Sequence, residues 1–263
     1  MILVLDVGNS NVGLGFFRGD ALVHSARFPV GDRTWEEAAE SLRRAMDVGG
    51  ISFGAVEGIA LGTVIRGMDP MWNRVGEELF GKAPVRIHAG MDMGIRVGYD
   101  DPDHVGIDRL AGASAAYAKY GGPVIVVDAG SAITVDAVSG DGEFLGGIIA
   151  PGPGMSARAL HEQTDLLPLV APEMPDTILG RSTPACIRSG VVYGAGAMVD
   201  GLVGRVKEIL GGKARVVGTG GSLAVIRSVV KQVDVVEPHL VLEGLYGIYR
   251  WSAGSSSHPP SVR

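Results

Sequence analysis

Cysteine is almost absent: Cys186 is the single one in 263 residues. No internal disulfide can form, which is the expectation for a protein of the reducing cytoplasm. No apolar run is long enough to span a bilayer, and the short apolar start has no basic flank to make it a secretory signal. A membrane protein is therefore not expected. Positive charge is in the minority, with 23 Lys and Arg against 29 Asp and Glu and a net charge of −6. With no basic stripe either, the chain does not read as a nucleic-acid binder. Any phosphate site must concentrate its positive charge locally or recruit cations. The six histidines are scattered without zinc-ligand spacing, and no serine lies in a G-x-S-x-G elbow. Gly76 to Ala83 nearly matches a P-loop. It lacks the Ser or Thr that would hold magnesium, follows no strand, and reads as helix.

Apolar residues, in contrast, make up 46% of the chain and glycine contributes 41 positions. This suits a loop-rich α/β enzyme with one large core or two smaller ones. Val126 to Val138 (VVDAGSAITVDAV) reads as a strand ending at Asp128, a tight turn at Ala129–Ala132, and a second strand. Glycine is expected to supply the backbone freedom of that turn. Its peptide N–H groups and a hydroxyl form a small concave space with the acid at its mouth, suited to a phosphate chain and its cation. Met1 to Phe17 repeats the device with Asp6, Gly8, Asn9 and Ser10, so both read D-x-G-[NS]-[SA]. Each copy opens one half of the chain, which implies a duplicated lobe with one nucleotide between the copies. The acids would repel phosphate and are expected to act through a cation or its water shell.

Along the first half, strands are expected at 1–6, 12–17, 21–28, 55–63 and 85–87, with helices at 34–48, 70–80 and 108–120. Thr34 is the expected N-cap of the first helix. The irregular stretch 90–106 is long enough to be a substrate loop. The second half repeats the pattern, with strands at 124–128, 132–138, 143–150, 214–218 and 233–236. Its helices are expected at 156–161, at 184–210 with an interruption near Gly194 and Gly196, at 222–231 and at 240–251. The lobes divide at 1–118 and 119–250, and residues 251–263 read as a disordered tail.

Two further groups carry chemistry. Gly106-Ile107-Asp108-Arg109 opens a helix. Asp108 reads either as an N-cap or as a general base taking a proton from an attacking hydroxyl. Arg109 could hold an anionic substrate group bidentately or form a surface ion pair. Gly218-Thr219-Gly220-Gly221, between a strand and a helix, reads as a ligand-approach site or a structural turn.

In this order, these motifs resemble the type III pantothenate kinases of the acetate and sugar kinase/Hsp70/actin superfamily, over nearly the whole chain. The family's D-x-G-N-[ST]-x stands at Asp6–Asn11, its G-x-D-R at Gly106–Arg109 after Tyr99 and Pro102, and its D-x-G-T-A-x-T at Asp128–Thr134. GGIIAPG at 146–152, Gly180–Thr183 and TGG at 219–221 are similar as well. The resemblance implies two tandem RNase H-like lobes with ATP in the cleft. It implies transfer of phosphate from ATP to pantothenate, with Asp108 as the base. Asp6, Val7, Gly8, Asn9, Ser10, Asn11, Val12, Gly13 and Ser131 would contact ATP. Tyr99, Gly106, Ile107, Asp108, Arg109 and Thr183 would line the pantothenate site. Asp128 would hold a monovalent cation, K⁺ or NH₄⁺, with Mg²⁺ accompanying ATP in a cytoplasmic homodimer. Ala129 and Ser131 depart from the family's usual larger residue and Thr; the hydroxyl is kept. Two other readings remain: a non-catalytic nucleotide-binding regulator, against which the retained acids speak, and a kinase of another small hydroxylated acid.

Overall fold

The computed structural model describes residues 1–31, 34–252 and 254. It forms two compact units, one of Met1–Ala118 with the segment from His239 onward, the other of Lys119–Pro238. In the first unit the strands are β1 (Ile2–Val7), β2 (Asn11–Arg18), β3 (Ala21–Pro29), β4 (Gly58–Thr63) and β5 (Val85–Arg86), with β6 (Arg96–Val97) following as a two-residue strand. The sheet order is β3-β2-β1-β4-β5. β1 and β2 are antiparallel, as are β2 and β3, whereas β1, β4 and β5 run parallel. Every residue of β4 is buried, as a parallel strand covered on both faces requires.

Helix α1 (Trp35–Gly49) begins at Thr34, whose hydroxyl accepts from the Glu37 N–H while the Glu37 carboxylate accepts from the Thr34 N–H. This capping box satisfies two of the orphan donors at the helix start. Ala38, Ala39, Leu42 and Met46 form its buried stripe and pack on the apolar face of the sheet. Helix α2 (Asp69–Phe80) ends in a left-handed Gly81, so the apparent P-loop is a helix and its C-cap. Helix α3 (Ile107–Tyr120) is buried along most of its length and closes the first half.

In the second unit, β7 (Val124–Ala129), β8 (Ala132–Val138), β9 (Glu143–Pro151), β10 (Arg215–Thr219) and β11 (Val235–Val236) take the order β11-β10-β7-β8-β9. The directions repeat those of the first sheet: β7, β8 and β9 are successively antiparallel, and β10 is parallel to both β7 and β11. The duplication expected from two D-x-G turns is thus a duplication of topology. Helices α4 (Pro153–Glu162), α5 (Thr183–Ile209) and α6 (Leu223–Ile226) complete the unit. Ile125, Val127, Ile133 and Val135 share its core with Val192, Val199 and Val203 of α5.

Several expectations are corrected. α4 begins at Pro153, ahead of the expected 156, because proline's missing N–H costs nothing in the first helical turn. α5 runs unbroken through Gly194 and Gly196 for 27 residues. A Cβ at Gly196 would approach Val229 Cγ2 to 2.7 Å, so that glycine serves close packing. The expected helix at 222–231 is only the short α6, and β4 starts at Gly58 after a 3₁₀ turn at Phe53–Ala55.

The last helix, α7 (Leu240–Ser252), was expected with the second half but belongs to the first unit. It lies on β1, β4 and β2. Gly62 admits it, since a Cβ there would stand 2.6 Å from Leu245 Cδ2. The Tyr246 hydroxyl donates to the Gly19 carbonyl at 2.5 Å, and Arg250 pairs with Asp20. Trp251 and Ser252 finish this helix, and the remaining expected tail, apart from Gly254, lies outside the described residues.

A Cβ at Gly244 would meet the backbone of Ala111, with the carbonyl carbon at 2.5 Å. Backbone cannot swing aside as a side chain can. Gly244→Ala is therefore expected to destabilise by about 1–3 kcal/mol in denaturant unfolding. Gly201 in α5 has open space around its Cβ position, so Gly201→Ala is expected to stabilise by about 0.5–1 kcal/mol.

Candidate active site

Both D-x-G turns lie at the carboxyl ends of parallel strands, where open α/β sheets present their ligand sites. In the first, the Gly8 N–H donates to the Asn11 carbonyl at 3.0 Å and the Val30 N–H to the Ser10 carbonyl at 3.0 Å. Asn9 and Ser10 are exposed, Asp6, Gly8, Asn11 and Gly13 are half-buried, and Val7 and Val12 are buried in the core. In the second turn the Gly130 N–H donates to the Ala132 carbonyl at 2.9 Å, leaving a loop one residue shorter. Neither Gly8 nor Gly130 adopts a positive φ. A Cβ at Gly8 would sit 3.4 Å from the Asn11 carbonyl oxygen, and its absence keeps the concave face of the turn open.

In the first unit, three elements converge near that turn. The Val64 N–H, just beyond β4, donates to the Val7 carbonyl at 3.2 Å. A Cβ at Gly106 would stand 3.7 Å from Val64 Cγ1 and 2.5 Å from Asp108 Oδ1. The end of β4 thus connects the phosphate-type turn to the start of α3. Asp108 is not an N-cap. It lies inside the first turn of α3, after the buried Ile107, and its Oδ1 accepts the N–H of the adjacent Arg109 at 2.8 Å. Burial raises the Asp108 carboxyl above the usual aspartate value, opposed by the Arg109 N–H and then by the Arg109 charge. Arg109 is itself buried, and its guanidinium carbon lies 6.0 Å from the centre of the Tyr99 ring. Tyr99, Gly106, Ile107, Asp108 and Arg109 are therefore brought together, and the expected substrate loop is held in part by the Ser114 hydroxyl on the Met93 carbonyl at 2.6 Å.

In the second unit, segments far apart in sequence meet at the other turn. The Ser222 N–H donates to the Ala129 carbonyl at 2.7 Å and the Ser222 hydroxyl to the Gly130 carbonyl at 3.1 Å. Gly220 has φ +91°, and a Cβ on it would overlap Asp128 Oδ1 and stand 2.6 Å from the Ala129 carbonyl. A Cβ on Gly152 would stand 2.6 Å from the carbonyl oxygens of Gly130 and Ser131. The motifs at 128–134, 146–152 and 219–221 are thus one structure around Asp128 and Ser131. Sequence reading missed Ser222 and gave Thr134 no role of its own. Thr134 Oγ1 is buried without a hydrogen-bond partner, a defect that costs about 1–3 kcal/mol when nothing fills it. Nothing short of the paired strands could have exposed it. Thr183 is exposed at the first position of α5, behind the Ser182 N-cap. Gly180 packs against the backbone of Ala185, where a Cβ would approach to 2.5 Å. Among the described residues, no cluster of three His, Cys, Asp or Glu is placed to hold a metal ion, and no helix is long and apolar enough to cross a membrane.

Two sheets of one topology, each with an acid and a glycine turn at the end of its central strand, define an α/β protein built from two like units. A conserved Campylobacter jejuni protein assigned to the Baf family superposes with a TM-score of 0.60 at 18% identity, covering 96% of this chain and 99% of that one, which speaks for the fold alone. The family model of type III pantothenate kinases matches residues 2–205. The type III pantothenate kinase of Koribacter versatilis is 38% identical over 256 residues, 93% of each chain. That of Moorella thermoacetica is 37% identical over 250 residues, 95% of this chain and 98% of its own. The chain belongs to the type III pantothenate kinase family.

Because the folded state raises the Asp108 pKa, it binds that proton more tightly than the unfolded chain does. Ionisation then costs stability, fully so above the folded pKa and not at all below the unfolded value. Asp108→Asn is expected to raise the melting temperature at pH 7, with the advantage shrinking as pH falls toward the ordinary aspartate value. Calorimetry at two pH values checks this, and a lower melting temperature for the variant at pH 7 would contradict it.

Proposed function

We propose that the protein transfers the γ-phosphoryl group of ATP to the primary hydroxyl of pantothenate, giving 4′-phosphopantothenate and ADP, the first step toward coenzyme A. Family membership supports the reaction. The observation that carries the mechanism is the Asp108 carboxylate, desolvated on Gly106 beside the Tyr99 and Arg109 pair. Desolvation makes it a stronger base than a solvated aspartate. It accepts the hydroxyl proton as the oxygen attacks the γ-phosphorus and ADP leaves. Arg109 holds the pantothenate carboxylate, and Tyr99, Gly106, Ile107 and Thr183 complete the substrate contacts.

The turn from Asp6 to Gly13, with Ser131, contacts ATP. Its N–H groups and the Asn9, Ser10 and Asn11 side chains meet phosphate oxygens, so that catalysis comes mainly from positioning and charge neutralisation. Gly13 places no side chain over Asp6, its Cβ position lying 3.8 Å from Oδ2, which fits a carboxylate acting on the water shell of Mg²⁺. Asp128 is the carboxylate for K⁺ or NH₄⁺, set among carbonyl and hydroxyl oxygens that suit such an ion. When bound, these cations neutralise charge on the phosphate chain. Exposed Ile149, Leu166, Leu169, Ile178 and Leu179 on the second unit support a homodimer, since large exposed apolar groups mark association surfaces. The free thiol of Cys186 accords with a cytoplasmic location.

A coupled assay for ADP release tests the reading. Turnover should require pantothenate and should be faster in potassium or ammonium than in sodium. ATP binding without pantothenate-dependent turnover in any of these salts would overturn the kinase reading. The rate should also rise with pH along an acid limb set by Asp108, lying above the ordinary aspartate value because burial raises that group. A limb at or below that value would remove Asp108 as the base.

A further inference from the structure

The two turns differ chemically although their sheets share one topology. In the first sheet, Asp6 is in register with Gly13 on one side and Gly62 on the other. In the second, Asp128 holds the equivalent place and is in register with Thr134 and Thr219. Paired residues of neighbouring strands point to the same face, with Cβ atoms about 4.5–5.5 Å apart when directly opposed. Two hydroxyl-bearing side chains therefore flank the second acid where the first has bare backbone. Gly62 is explained by the packing of Leu245. Strand preference does not explain Thr134, because valine would serve that position of β8 equally well, as it does at Val135 and Val138. Buried side-chain hydroxyls nearly always have a partner, yet Thr134 Oγ1 has none.

We propose that Thr134 Oγ1 is a ligand of the monovalent cation held by Asp128, and that this hydroxyl is what suits the second turn to a large, weakly hydrated ion. The proposal rests on the reading of Asp128 as the cation's carboxylate. A carboxylate flanked by glycines on both neighbouring strands suits Mg²⁺, which keeps much of its water. Neutral oxygens fixed around a single carboxylate replace a hydration shell instead, as they do wherever K⁺ is bound without its water. Gly220, whose backbone lies against Asp128 Oδ1 and the Ala129 carbonyl, narrows the space in the same sense. The internal duplicate thus separates two roles: Asp6 for a hydrated divalent ion, Asp128 with Thr134 for a dehydrated monovalent one.

The test is thermal melting of the full chain, free of nucleotide and with chelator present, titrated with KCl against NaCl at constant ionic strength. The wild type should melt higher in potassium, and Asp128→Asn should lose that difference. Thr134→Val, which keeps the branched shape without the hydroxyl, should raise the half-saturating potassium concentration about ten- to hundredfold, whereas Thr134→Ser should stay close to wild type. A Thr134→Val protein with the wild-type potassium midpoint, alongside an Asp128→Asn protein that has lost the response, would overturn the proposal and leave the Asp128 reading standing. A wild type with no potassium-specific response would overturn both. If Thr134→Val does not fold, Thr134→Ser against Thr134→Ala makes the same comparison.

Discussion

A carboxylate oxygen laid against the backbone of a glycine recurs at the acids of the two D-x-G turns and of the G-x-D-R helix start. Asp108 Oδ1 lies on Gly106, with a Cβ position only 2.5 Å away, and Asp128 Oδ1 lies on Gly220, where a side chain would overlap it. Asp6 Oδ2 has Gly13 beside it at a looser 3.8 Å. Any side chain at Gly106 or Gly220 would push the acid out of place. Burial takes the Asp108 carboxylate out of water, and its raised pKa is the electrostatic consequence, opposed by the Arg109 N–H and charge. The cost in stability falls on a group of perturbed pKa, as is common at functional sites.

The sheets deliver Asp6 and Asp128 to their glycines. In each unit the central strand is antiparallel to the next in sequence and parallel to a strand from much later in the chain. The parallel neighbour brings its own terminus to the turn: Val64 after β4, and Thr219 with Gly220 after β10. One hairpin supplies the acid and the cradle, and the long-range pairing supplies the group that fixes them. Duplication of this arrangement, followed by divergence of the flanking residues, gives two acids with different surroundings.

Local features were legible in the sequence. Both D-x-G turns, the Thr34 N-cap, the order of strands in each half and the helix opening at Asp108 follow from turn chemistry, capping and apolar runs. What was not legible depends on contacts distant in sequence. The return of α7 to the first unit rests on Gly62 and Gly244 meeting Leu245 and Ala111, pairings that no local pattern displays. Glycine alone does not reveal its use: Gly194 and Gly196 looked like a break in α5 yet lie inside it. Gly8 and Gly130 hold their turns without a positive φ. The reading of Asp108 as a cap is excluded only by its position inside the first turn of α3, with its carboxylate turned onto Gly106. The orphan hydroxyl of Thr134 could not be seen until β8 was placed beside β7.

The measurement closest to the central claim is the turnover number of Asp108→Asn at saturating ATP and pantothenate, taken together with the ATP affinity of the same protein. The amide keeps the shape on Gly106 and cannot accept the hydroxyl proton. The account predicts a loss of about 10²- to 10⁴-fold in kcat with ATP affinity nearly unchanged. A folded variant that turns over at close to the wild-type rate would contradict it.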